Sequence, residues 1–249
     1  KISYAICVCN EHSELNSLLS FLSRVTDNED EINILVDSGK VTEEVRAVLK
    51  KFEKRIVVNE RKFCGNFSKH RNYHITKCKG EYIFVLDADE IPQEALVKNI
   101  KNFDSDILYV PRMNIIPGHT EEWCKRMKFS VNEVGWINWP DYQGRYFKNN
   151  GKILWSLGLH ERLIGSDKVA QLQAIPQLAL WHVKSVEKQD KQERSSGQDD
   201  EKQDETDAQK AEEKEADKER EAIWNKIAED VKKPYNSGLV TRIKKDEDD

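Results

Sequence analysis

Tyr82-Ile83-Phe84-Val85-Leu86-Asp87-Ala88-Asp89-Glu90 runs from five apolar residues straight into an acidic turn. A short, unbroken apolar run of this kind reads as a strand buried on both faces. Asp87 and Asp89, two residues apart, point to opposite sides for as long as the chain stays a strand. Where the chain turns out of the sheet, both can reach one hard cation. Carboxylates so placed suit Mg²⁺ or Mn²⁺, an ion that neutralises the phosphate oxygens of a bound nucleotide. The glycine and later ligands of an EF-hand calcium loop do not follow.

The same grammar recurs upstream. Ile2–Cys9 reads as a buried strand ending in Asn10-Glu11-His12. Ser13 is suited to cap a helix carrying Leu15, Leu18, Leu19 and Leu22. Ile32–Val36 is a second strand, closed by Asp37-Ser38-Gly39, and Val41, Val45, Val48, Leu49 and Phe52 mark a second amphipathic helix. Ile56–Val58 is a third strand and Phe67–Cys78 a third helix. A β-α-β-α-β-α-β succession predicts an α/β domain with a mostly parallel central sheet. Ligands of such sheets sit beyond the carboxyl ends of the strands, where Asn10, Asp37 and Asp87 fall. Leu108–Pro111, Gly144–Lys148 and Leu178–His182 read as further strands. Trp123, Trp136, Trp139 and Trp155 crowd the irregular segments around them, as sheet cover or as the lining of a binding site.

Composition divides the 249-residue chain. Its net charge of −5 combines +2 over residues 1–195 (29 Lys+Arg, 27 Asp+Glu) with −7 over residues 196–249 (11 against 18). Residues 198–221 hold no apolar residue larger than Ala, the composition of a solvated helix or a disordered segment. The expected organisation is a catalytic domain over 1–185 and a charged, acidic, helical or partly disordered extension over 186–249. Ile223, Trp224, Ile227 and Val231 form the extension's apolar stripe before Pro234. That stripe is suited to dock on the chain's own body or on a partner.

Several function classes lose support. No run approaches the ~20 apolar residues of a membrane span, and no signal-peptide pattern opens at Lys1. The five cysteines (Cys7, Cys9, Cys64, Cys78, Cys124) form no C-x-x-C pair and read as small buried side chains in a reducing, cytoplasmic setting. Cys7 and Cys9 are expected on one face of the first strand. No G-x-G-x-x-G follows that strand, and Ser38-Gly39-Lys40-Val41-Thr42 lacks the glycine and the Lys-Ser/Thr adjacency of a P-loop.

Three blocks together resemble the family 2 glycosyltransferases, inverting enzymes of the glycosyltransferase A fold found in compact form in bacteria and bacteriophages. They are Ile2–Glu11, with Cys9 where the family usually has Tyr; Ile32–Gly39 with its Val-Asp-Ser-Gly ending; and Gly65–Glu90, containing Arg71-Asn72, Gly80-Glu81-Tyr82 and Leu86–Glu90. The resemblance spans about residues 1–185 and weakens after 115. It implies a nucleotide-diphosphate sugar donor, with a UDP-sugar as the usual case, and a hydroxyl acceptor. That acceptor is a glycan by default, with a hydroxymethylated DNA base as the minority case in a host cytoplasm. Asn10 and Glu11 would line the nucleotide pocket, Asp37 would meet the base, and Arg71 the base or pyrophosphate. Asp87-Ala88-Asp89 would reach the ribose and the Mn²⁺ or Mg²⁺. Gly158-Leu159-His160-Glu161 and Leu180-Trp181-His182 resemble a His-Glu pair and a late His, making His182 a further candidate metal ligand. Inverting transfer needs a base for the acceptor proton. Glu161 is the first candidate, and Asp141, close in sequence to Arg145, the second. A nucleotidyltransferase of similar fold, which would release pyrophosphate, and a catalytically degenerate scaffold are the alternatives.

Overall fold

The computed structural model describes residues 1–156, 161–197 and 240–242. Strand β1 (Ile2–Val8) is buried along almost its whole length. It lies between β2 (Glu31–Val36) and β4 (Tyr82–Asp87), parallel to both, and β2 continues to the parallel edge strand β3 (Ile56–Glu60). The order β3-β2-β1-β4 places the topological switch between β1 and β4, whose carboxyl ends bound the expected crevice.

Alternation on β1 divides the core. Ile2, Tyr4, Ile6 and Val8 pack with Leu15, Leu18, Leu19 and Leu22 of α1 (His12–Val25) and with Val45 and Leu49 of α2 (Glu43–Lys51). On the other face, Ala5 joins Ile83 and Val85 of β4 and Ile75 of α3 (Phe67–Ile75). Alternate residues of β1 thus feed two separate apolar layers, which is why the strand is apolar apart from Ser3, whose hydroxyl donates to Glu31.

Gly80, just before β4, sits where a Cβ would lie 2.4 Å from Ser3 N and 2.7 Å from Ile2 C. Both are backbone atoms of β1 and cannot yield. Gly80→Ala is expected to destabilise the protein by about 1–3 kcal/mol, a melting temperature lower by about 5 °C in circular dichroism. An unchanged melting curve would contradict this close approach.

The second half is built around a long antiparallel pair, β6 (Ile107–Ile115) and β7 (Ile137–Lys148), with register shifts at Leu108/Tyr109 and Arg112/Asn114. Both strands extend well beyond the apolar segments that announce them, since pairing partners continue a strand where apolar pattern does not. β7 also pairs antiparallel with β4 and so joins the two halves of the sheet. β5 (Glu90–Pro92) follows the acidic turn and leads into α4 (Glu94–Asn99); α5 (Glu121–Met127) lies between β6 and β7. A separate hairpin, β8 (Leu154–Ser156) with β9 (Arg162–Ile164), covers the second layer through Trp155 and Leu163. β10 (Val169–Leu172) runs parallel to β6. β11 (Leu180–Val183) pairs with β6 in parallel and with β5 in antiparallel register, setting His182 opposite both Asn114 and Glu90. Helix α6 (Val186–Gly197) follows, and β12 (Val240–Arg242) returns from the acidic extension to pair with β10.

Some local expectations shift. α1 begins at His12 with Glu11 at its N-cap, so Ser13 lies inside the helix. The Glu11 carboxylate instead ties the preceding turn, accepting from Cys9 N (3.0 Å) and Asn10 N (3.1 Å). β1 stops at Val8, so Cys9 does not share a strand face with Cys7. The cysteines are all free, and Cys64 is exposed rather than buried. α3 ends at Ile75, followed by turns bonded from Lys77 N to His74 O and Cys78 N to Ile75 O. Val41 precedes α2, which Thr42 caps through Val45 N. The stripe of Ile223, Trp224, Ile227 and Val231 and the residue His160 lie outside the described residues.

Candidate active site

Asp87 closes β4, and Glu90 opens β5 two residues beyond Ala88, which is itself buried. Asp87 N donates to Glu90 Oε2 at 3.1 Å, which fixes the turn and sends the two aspartates into different surroundings. Asp87 is taken up by arginines: Arg71 Nη2 lies 2.8 Å from Oδ1 and Arg145 Nη2 2.6 Å from Oδ2. Burial opposes its ionisation, but Arg145 and Arg71 outweigh burial and hold the carboxyl far below the usual carboxylate range.

These contacts belong to a longer chain of alternating charge. Arg145 Nη2 also donates to Glu90 Oε1 at 2.6 Å, and Arg112 Nη1 donates to the same oxygen at 3.0 Å. Arg112 then grips Asp141 Oδ2 through Nε (2.9 Å) and Nη2 (2.6 Å). At the other end, Arg71 Nε reaches Glu161 Oε1 at 3.4 Å, and the Arg71 guanidinium lies 5.1 Å from the Trp155 ring centroid. Glu161 and Asp141, the two base candidates, therefore terminate one network running through Arg71, Asp87, Arg145, Glu90 and Arg112. Asp141 pairs with Arg112, not with its sequence neighbour Arg145.

The two ends differ. Asp141 Oδ2 also accepts from Asn114 Nδ2 (2.9 Å), and Oδ1 from Gln143 Nε2 (2.7 Å). Burial raises its pKa, but Arg112 and these amides prevail and lower it, so it is a weak proton acceptor. Among the described residues, Glu161 makes one long contact, with Arg71, and is the less committed carboxylate.

Asp89 has different company. Its Oδ2 lies 3.5 Å from His182 Nε2, 3.6 Å from Lys188 Nζ and 3.9 Å from Lys184 Nζ. Burial disfavours the charged form, yet His182, Lys184 and Lys188 together hold the carboxyl well below its ordinary value. Burial also lowers the His182 pKa, against the opposing pull of Asp89. The His182 Nδ1 to Asn114 Oδ1 distance of 2.8 Å assigns the proton to Nδ1, since an amide oxygen only accepts. Nε2 is the ring nitrogen that faces Asp89.

With one ring nitrogen anchored and the other presented beside a carboxylate, His182 is compatible with metal ligation. Among the described residues no three His, Cys, Asp or Glu side chains converge as a metal cage. Asp89 and His182 nonetheless fit an ion that keeps its waters and takes its remaining ligands from substrate phosphates. Asp87, expected as a companion ligand, is engaged by Arg71 and Arg145.

The residues expected at the nucleotide end lie across the switch. Asp37 directly follows β2, is buried, and accepts at Oδ1 from Gly39 N (3.0 Å) and Phe63 N (3.0 Å). Asn10 is exposed just past β1, beside the turn held by Glu11. Arg71 Nη1 and Trp155 Nε1 are buried donors without a partner among the described residues, which leaves donor capacity beside Asp87.

Arg112, Asn114, Lys184 and Lys188 are absent from the sequence reading, and Glu90 and Arg145 are named there without a role at the site. Arg112 and Arg145 did carry a signal: each is a cation within an apolar strand, and a buried cation implies a buried carboxylate.

A parallel sheet whose strand order reverses between β1 and β4, with an acidic pair at the end of β4, is the architecture of the nucleotide-sugar transferases. Residues 3–158 match glycosyl transferase family 2, and the chain belongs to that family. The fold is also that of Staphylococcus aureus TarS, residues 1–349. The TarS complex with UDP-GlcNAc is similar at a TM-score of 0.51 and 15% identity, covering 74% of this chain and 58% of TarS. The TarS complex with UDP is similar at 0.52 and 14%, covering 75% and 61%. The chain thus spans about three-fifths of the length of these relatives. No curated protein sequence matches it. Among the described residues no helix is long and apolar enough to cross a membrane.

Proposed function

We propose that the chain is a metal-assisted, inverting glycosyltransferase that moves a sugar from a UDP-sugar to an acceptor hydroxyl. The reading rests above all on the Asp89–His182 pair at the carboxyl edge of the sheet, beside Asp87 and Arg71. Family membership supports the reaction class, and the nucleotides held by the TarS structures support the donor class.

Asp89 and His182 would hold Mn²⁺ or Mg²⁺, and the bound ion would neutralise charge on the leaving diphosphate. Arg71, fixed by Asp87 and stacked near Trp155, presents its guanidinium to the donor. Asp37 and Asn10 bound the nucleobase end. The acceptor hydroxyl attacks the anomeric carbon opposite the diphosphate and passes its proton to Glu161 as the bond to the diphosphate oxygen breaks. Glu161 serves better than Asp141, whose carboxylate Arg112, Asn114 and Gln143 already saturate.

A nucleotide panel followed by thermal shift tests the donor. UDP with Mn²⁺ is expected to raise the melting temperature by several degrees, at ligand concentrations about 100-fold above Kd, and EDTA to reduce the shift. If no nucleoside diphosphate shifts the melting temperature with either ion, the reading fails.

A further inference from the structure

Helix α6 lies wholly beyond residue 158, where the family match ends, yet it brings a side chain to Asp89. Lys188, in its first turn, places Nζ 3.6 Å from Asp89 Oδ2 and 3.0 Å from Glu14 Oε1 of α1. Lys184 approaches the same Asp89 oxygen at 3.9 Å from the strand side. The helix starts at Val186, between these two lysines, so its positive dipole end lies at the same place. Ser185 caps it, with Oγ accepting from Lys188 N at 3.1 Å.

The position of α6 is held away from Asp89 as well. Asp190 accepts from Trp123 Nε1 (2.9 Å) and Arg126 Nη2 (2.8 Å) of α5, and Val186 packs against the cluster of Trp123, Cys124, Ile116 and Ile137. Docking therefore fixes where Lys188 stands. A purely structural strut between α6 and α1 would need only Glu14. Instead, two ammonium groups and a helix N-terminus gather around a carboxylate that a donor diphosphate must approach. Anionic phosphate oxygens are the ligand such a concentration of positive charge suits. Lysine also has the flexible stem to turn from Asp89 and Glu14 toward them.

We propose that Lys188 is a diphosphate-binding residue of the donor site, delivered by the docking of α6 on α5 and α1. The assignment rests on the nucleotide-sugar reading above and extends it to a segment outside the family match. Calorimetric titration of the full chain with UDP, and with GDP in parallel, in Mg²⁺ tests it. Lys188→Met is expected to weaken nucleoside-diphosphate binding about 10–100-fold, the worth of one charge-assisted hydrogen bond. Lys188→Arg should recover most of the affinity. Glu14→Gln, which cuts the strut but keeps the ammonium, should bind within about threefold of wild type. Binding by Lys188→Met within twofold of wild type overturns the proposal, as does a Glu14→Gln loss equal to that of Lys188→Met. Wild-type protein that binds neither nucleotide overturns the donor reading as well, which separates the two failures.

Discussion

Asp89→Asn is expected to abolish the proposed metal-dependent sugar transfer, with kcat lower by about 10²–10³-fold or more, while the protein remains folded. The substitution keeps the volume and removes the charge. Asp89 is the carboxylate that faces His182 Nε2, and an amide is a poor ligand for Mg²⁺ or Mn²⁺. The fold survives because the turn is held elsewhere: Asp87 N on Glu90, His182 Nδ1 on Asn114, and Lys188 on Glu14. The same variant should lose the difference between UDP binding in Mn²⁺ and in EDTA, which calorimetry reads independently of turnover. Transfer that stays metal-dependent and within a few-fold of wild type in Asp89→Asn would remove Asp89 from the metal site.

Glu90→Ala produces the largest loss of stability. The Glu90 side chain is fully buried and carries two arginines, Arg112 and Arg145, on one oxygen, with Asp87 N on the other. Removing it takes the shared carboxylate from two guanidinium groups, leaving, among the described residues, Arg145 with Asp87 alone and Arg112 with Asp141 alone. Breaking a buried ion pair from one side costs about 3–5 kcal/mol. For a chain of this size that corresponds to a melting temperature lower by about 10 °C. Glu90→Gln, which keeps an oxygen acceptor but no charge, should fall between wild type and Ala. Donor binding should weaken in both, since Arg145 and the Asp87 turn lose their common anchor. A melting temperature within about 2 °C of wild type in Glu90→Ala, less than about 1 kcal/mol, would show that Glu90 is not the hub.

The two halves of the chain were not equally readable. β1, β2 and β4 are mainly apolar, apart from Ser3, Glu31 and Asn33, and give way to polar residues at their carboxyl ends, so their type, order and functional ends could be read locally. Boundaries moved where neighbours compete. Glu11 claims the turn before α1, and Ser13 is left without a capping role. β6 and β7 exceeded their apolar segments because each supplies the other's hydrogen bonds. The pairing of Asp141 with Arg112 escaped the sequence because the two residues, 29 positions apart, become partners only in the register of β6 on β7.

The contrast is sharpest at the acidic turn from Tyr82 to Glu90. Sequence by itself determined that this stretch is a buried strand emptying two aspartates at the edge of a parallel sheet. That information is covalent and local: an apolar run, then charges. Only tertiary structure decided what each aspartate does. β7 brings Arg145 to Asp87, while β11, paired to both β5 and β6, brings His182 to Asp89, with Lys184 and Lys188 following. Partners nearly a hundred residues away are chosen by strand register, and register is a property of the assembled sheet.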